Sequence, residues 1–75
     1  MDVERLVAMA NDIGNYFASE PDHEAGIAGV ANHLVNFWDP RMRTQIVTHL
    51  AAGGAGLSDI ARAAVARLAD RPSAG

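Results

Sequence analysis

Three histidines and one acidic cluster are the side chains with the greatest capacity for chemistry. His23, His33 and His49 fall on three different predicted elements and include no i,i+4 pair, so a zinc site would form only if the fold gathered them. Asp22 and Glu24 flank His23, and this trio is capable of acid–base work. At a helix N-terminus, however, the trio is more simply a solvated cap that matches the helix dipole. We therefore predict no catalytic, cofactor-binding or metal-binding residue in this chain.

Composition supports the same conclusion. The 75 residues include no cysteine, which excludes disulfides and thiolate metal sites. Neither a nucleophile triad nor a phosphate-binding loop with its lysine is present. Of the 49% apolar residues, fifteen are alanine, so the core must be thin and the fold suits docking on a larger partner better than catalysis. The chain is not expected to be an enzyme by itself.

Charge and hydropathy set the expected surroundings. The net charge is −3, with six arginines and no lysine, which argues against binding nucleic acid or an anionic membrane. No apolar run approaches the ~18–20 residues that span a bilayer. The start of the chain, with Asp2 and Glu4, does not resemble a signal peptide. We expect a cytoplasmic protein.

The elements that carry these residues are predicted to be four short helices without strands, an all-α bundle. Apolar residues recur at three- and four-residue intervals over about 2–18, from a Ser19 cap to Trp38, over 40–52, and from a Ser58 cap to Arg71. Residues 1–71 form a single helical domain, and 72–75 are expected to be a disordered tail. Gly14, Gly26 and Gly29 predict close helix contacts. The predicted inward faces are Val3, Leu6, Val7, Ala10, Ile13 and Phe17; Ile27, Val30, Ala31, Leu34 and Phe37; Met42, Ile46, His49 and Leu50; and Ile60, Ala61, Ala64, Val65 and Leu68.

The segment 37–43, FWDPRMR, is the expected corner between the second and third helices. A proline disfavours helical geometry in the residue before it, so the second helix should stop at about Trp38. Asp39 can then cap the third helix, and Pro40 suits its first position. Phe37 and Trp38 would supply the aromatic mass of this corner, and Phe37, Asp39 and Pro40 are its predicted structural residues.

The arginines of this segment are unusual, because positive charge in the first turn of a helix opposes its dipole. Arg43 is expected to pair with Asp39 at i,i+4. Arg41 points outward and is either an ordinary surface residue or a contact for an acidic or phosphate-bearing partner. We predict Trp38, Arg41 and Arg43 as the partner-binding residues.

The same segment resembles the signature of the delta subunit of soluble NAD-dependent formate dehydrogenases. The resemblance continues through residues 6–11, 13, 16–17, 26–28, 33–34, 49–50, 53–54 and 56–57. It implies an accessory subunit that stabilises the complex and assists cofactor insertion into the catalytic alpha subunit. It also implies that beta and gamma subunits share the complex, and that the molybdenum or tungsten bis-pterin cofactor, iron–sulfur clusters and FMN lie in those other subunits.

Two alternatives remain open at this point. One is a small DNA-binding module, because residues 57–62 have the character of the opening helix in a helix-turn-helix. The acidic balance and the alanine-rich continuation speak against it. The other is a generic protein-interaction module. In either case, an isolated chain with so little large apolar surface is expected to be able to form a homodimer through the face meant for its partners.

Overall fold

Four helices in sequence make up the structure, a computed structural model that describes residues 2–70. They are α1 (Val3–Phe17), α2 (His23–Phe37), α3 (Pro40–Ala51) and α4 (Asp59–Asp70). The described residues contain no strand, and the predicted all-α class is confirmed. The predicted tail, 72–75, and the predicted helix end at Arg71 lie outside the described residues.

Helix α4 packs against each of the other three helices, as α1 does, and its contacts with them are the more extensive. Its inward side is mostly small, with Ala61 and Ala64 fully buried beside Val65. Alanine lets helices approach closely but removes little apolar area from water, so the core is held by few large side chains. The largest fully buried side chains are Leu6, Leu34, Ile46, Val30 and Val65.

The predicted start of α2 at Ser19 is wrong. The Ser19 hydroxyl donates to the Tyr16 carbonyl at 3.2 Å and so completes the end of α1. The cap is Asp22, whose Oδ1 accepts the Glu24 amide at 3.0 Å, and the helix begins at His23. An aspartate and a serine are comparable caps, so local preference alone did not separate these two positions.

Glycines let three helix surfaces approach closely, as predicted. A Cβ atom at Gly14 would lie 2.8 Å from Ile60 Cγ2, and one at Gly26 would lie 2.9 Å from the Phe17 carbonyl oxygen. The Phe17 ring covers Gly29 so tightly that a Cβ there would lie 2.5 Å from ring carbons. The glycines therefore fix how α1 sits against α2 and α4.

The loop between α3 and α4 is held by side chains from three helices. Gly54 needs its left-handed conformation (φ +66°), and its carbonyl accepts a bond from Arg62 Nη2 at 2.9 Å. His49 Nε2 donates to the Ala55 carbonyl at 2.8 Å. Asn11 of α1 binds the loop twice, donating to Gly56 O at 2.9 Å and accepting the Ser58 amide at 2.8 Å. The loop is thereby fixed to α1, α3 and α4.

Replacing Gly14 with alanine should destabilise the fold. The better helix propensity of alanine contributes ~1 kcal/mol, but crowding of a packed core costs ~1–3 kcal/mol, and Ile60 is branched at the point of contact. We expect a net loss of about 1 kcal/mol in the free energy of unfolding, measured by denaturant titration. Asn15→Ala, at the next and exposed position, is the control and should be neutral or slightly stabilising. Equal stabilisation by both variants would contradict the close contact.

Candidate interaction surface

The backbone of the corner follows the predicted course. Trp38 is the C-cap of α2, with extended geometry (φ −91°, ψ 138°), and its amide donates to the Leu34 carbonyl at 3.0 Å. Asp39 Oδ1 accepts the Met42 amide at 2.9 Å, and Pro40 is the first residue of α3. One helix thus ends and the next begins within three residues.

The two aromatic residues of the corner face opposite ways. Trp38 is 5% exposed and belongs to the core, whereas Phe37 is 73% exposed. The predicted burial of Phe37 is therefore wrong. The backbone leaves helical geometry at Trp38, which turns the indole inward and leaves the phenyl ring of the preceding residue outside. Trp38 supports the shape of this surface but contributes little area to it.

Arg43 binds backbone rather than a carboxylate. Its Nη1 donates to the Val35 carbonyl at 2.8 Å, in the last turn of α2. The expected pair with Asp39 is wrong, because the Asp39 carboxylate caps α3 and the guanidinium reaches back to α2. Carbonyls in the last turn of a helix lack intrahelical partners and carry the negative end of the dipole, so a cation is favoured there. Arg43 therefore ties α3 to α2.

Arg41 is exposed and makes no hydrogen bond or ion pair with any residue in the range 2–70. Arg62 is used by the α3–α4 loop, and Arg67 pairs with Glu24 across α4 and α2. Among the arginines of the described part, Arg41 and Arg5 are thus the two whose charge is free for a partner.

Aromatic side chains continue from the corner along α2. The His33 and Phe37 rings lie with centroids 4.7 Å apart, and the Phe17 ring covers Gly29, one turn earlier. Tyr16 meets Phe17 edge to face at 5.1 Å. We name Tyr16, Phe17, His33 and Phe37 the aromatic strip.

Sequence reasoning missed this strip. Tyr16 borders the apolar stripe of α1, where a ring laid over the core would be expected, yet it is 77% exposed. The available signal was the four-residue spacing of Gly29, His33 and Phe37, which aligns them on one helix face.

The residues in the range 2–70 contain no group of three or more histidine, cysteine, aspartate or glutamate side chains that could hold a metal ion. His49 lines an open depression of about 400 Å³ together with Glu4, but its Nε2 proton is given to the Ala55 carbonyl. In the helix-turn-helix alternative, Leu57 would belong to the opening helix, but it lies in the loop before α4. No helix follows α4 in the described range, so these residues do not include the recognition helix that this alternative requires. None of the helices in that range is both long and apolar enough to cross a bilayer.

Trp38→Ala should cost ~3–5 kcal/mol in the free energy of unfolding, because a buried aromatic ring is removed from a thin core. Phe37→Ala is the matched control and should change stability little, because the phenyl ring is exposed. Thermal and urea denaturation followed by circular dichroism measure both. An unchanged Tm for Trp38→Ala would mean that the indole does not hold the corner.

Comparison with known proteins identifies the family. A sequence profile of the NADH-dependent formate dehydrogenase delta subunit, FdsD, matches residues 5–65, which include the corner, the aromatic strip and most of α4. Neither a curated protein nor a solved structure matches the chain. The match covers most of the 75 residues and agrees with the resemblance carried by residues 37–43. The chain belongs to the delta-subunit family of NADH-dependent formate dehydrogenases.

Proposed function

We propose that this chain is a non-catalytic accessory subunit of a cytoplasmic NAD-dependent formate dehydrogenase. It stabilises the complex and assists insertion of the metal cofactor into the catalytic alpha subunit. The family match over residues 5–65 is the observation that carries this proposal. The cytoplasmic location follows from the resemblance to soluble formate dehydrogenases.

The physical character of the fold supports a docking role. Four of the buried apolar residues are alanines, namely Ala10, Ala31, Ala61 and Ala64, so the core contributes little stability for its size. A partner that binds the folded chain adds stability by mass action. Assembly with a larger subunit would therefore raise the stability of this chain.

The redox chemistry then belongs to the other subunits. We propose that the alpha subunit holds the molybdenum or tungsten bis-pterin cofactor, and that the iron–sulfur clusters and FMN also lie in subunits other than this one. This chain has no cysteine to ligate a cluster.

Purified alone, the chain should be helical and free of metal and flavin. Plasma emission spectrometry for iron, molybdenum and tungsten and an absorbance spectrum for flavin provide the measurement. The expected content is well below one equivalent per chain. A stoichiometric amount of any of these in clean protein would overturn the accessory role.

We further propose that Arg41 is the main contact of the corner with the alpha subunit. Arginine is enriched at interface hot spots, and this one gains nothing from the dipole of α3. Arg43 and Trp38 support the position of Arg41 without contacting the partner extensively. Arg43 holds α3 against α2, and Trp38 anchors the corner in the core. An acidic group on the partner would complete the contact.

Arg41→Glu should reduce co-purification with the alpha subunit, and Arg41→Ala should do so less severely. Neither should lower the Tm of the lone chain, because Arg41 is exposed and makes no hydrogen bond or ion pair with the described residues. Arg41→Glu should raise the Tm slightly, because a carboxylate in the first turn of α3 is favoured by the helix dipole. Raised salt should weaken the wild-type complex in the same direction. The matched control is Arg5→Glu, an exposed arginine in the first turn of α1. If the Arg41→Glu variant assembles normally and the Arg5→Glu variant does not, the proposal for Arg41 is wrong and the contact with the alpha subunit lies on α1.

We also propose that the chain can form a weak homodimer when its partners are missing. Tyr16 and Phe37 are the exposed large apolar residues that such a contact would cover. Concentration-dependent sedimentation is the appropriate measurement.

A further inference from the structure

The outward side of α2 lacks formal charge over an unusual length. Residues 25–38 contain no aspartate, glutamate, lysine or arginine, although Ala25, Asn32, Asn36 and Phe37 are exposed. Solvent-facing helix surfaces normally carry charges, whereas the centres of protein interfaces are depleted of them and enriched in aromatic residues. The outward side of α2 therefore has the composition of an interface.

The aromatic strip gives this side its shape. Phe37 and Tyr16 are 73% and 77% exposed, so their rings project from the surface. From Gly29, which Phe17 covers, to Phe37 the strip follows α2 for about 12 Å, at ~1.5 Å per residue. Each exposed ring lies against a second ring, which limits its freedom before any partner binds. The strip is a raised and partly preordered ridge.

Opposite charges mark the two ends of the strip. Glu20 lies at the Tyr16 end, where its Cβ is 3.7 Å from the position of a Cβ on Gly26. Arg41 follows Phe37 by four residues at the other end. Both are exposed and unpaired within the described range. A partner that matches this pattern carries a cation at one end and a carboxylate at the other.

The area of the strip indicates what kind of surface covers it. The strip follows α2 for about 12 Å, so with a width of ~10 Å its footprint on that helix is roughly 120 Å². Stable interfaces bury ~800 Å² of accessible surface on each partner. Two ridges that meet side by side would leave the flanks of both exposed to solvent. A second copy of this chain is therefore a poor stable occupant. A concave partner can cover the ridge, both flanks and the Arg41 corner together.

We propose that the aromatic strip, flanked by Asn32 and Asn36, inserts into an apolar groove on the alpha subunit of the same complex. A carboxylate in that groove faces Arg41, and a basic side chain faces Glu20. This inference rests on the proposed function, and it identifies the surface and the chemistry of the contact. Arg41 is one end of that contact.

The experiment is co-expression of the tagged chain with the alpha, beta and gamma subunits, followed by measurement of the alpha subunit recovered per tagged chain. The variants are Phe37→Gln, which removes the projecting ring, and Asn32→Glu, which places a charge on the uncharged side. The control is Ala8→Glu, which adds the same charge at an exposed position within α1. Circular dichroism of each isolated chain verifies its fold.

We expect Phe37→Gln and Asn32→Glu each to lower recovery of the alpha subunit by about tenfold, with unchanged melting of the isolated chain, while Ala8→Glu resembles wild type. Normal recovery with both variants, in a complex that the wild-type chain forms, would overturn this inference and leave the proposed function intact. Failure of the wild-type chain to recover any alpha subunit would overturn both. The isolated wild-type chain could instead form a stable homodimer that the Asn32→Glu substitution dissociates. That result would show that a second copy of the chain covers the strip, and would overturn the proposed groove on the partner.

Discussion

Burial of the Trp38 indole at a break in the helical backbone is the interaction on which the functional surface depends. The ring can enter the core only because the chain becomes extended at this residue, and Pro40 and the Asp39 cap maintain that geometry. The same turn leaves Phe37 outside and starts α3 with Arg41 facing solvent. One buried side chain thus determines which neighbours are available to a partner.

Two of the five arginines in the described range, Arg43 and Arg62, bind backbone carbonyls. Arg43 binds a carbonyl in the last turn of α2, and Arg62 binds the carbonyls of Gly53 and Gly54 beyond the end of α3. Both sites carry the partial negative charge of a helix C-terminus, where a guanidinium can donate several hydrogen bonds in one plane. Both guanidinium groups are therefore held by the backbone of this chain, which distinguishes them from Arg41, whose side chain makes no hydrogen bond or ion pair within the described range.

The helices could be predicted from sequence because the patterns that specify them are local. Apolar spacing, the Asp39–Pro40 start of α3 and the glycines after it act within a few residues. The close contacts at Gly14, Gly26 and Gly29 were also predictable, since a glycine inside a helix needs a packing reason. What could not be predicted depends on distant contacts or on geometry at helix ends. Phe37 fits the apolar spacing of α2, but the core does not extend beneath the last turn on its side. The Val35 partner of Arg43 and the loop partners of Asn11 are visible only once the helices are assembled.

The two hydrogen bonds from Asn11 to the α3–α4 loop span 45 and 47 residues of sequence. They connect the first helix to the segment just before α4, and they add to the direct packing of α1 on α4 at Gly14 and Ile60. Withdrawal of α1 would leave the Gly56 carbonyl and the Ser58 amide without these partners. Unfolding that begins at α1 would therefore also release the segment that leads into α4. We therefore expect α1 and the α3–α4 loop to unfold together, as one cooperative unit.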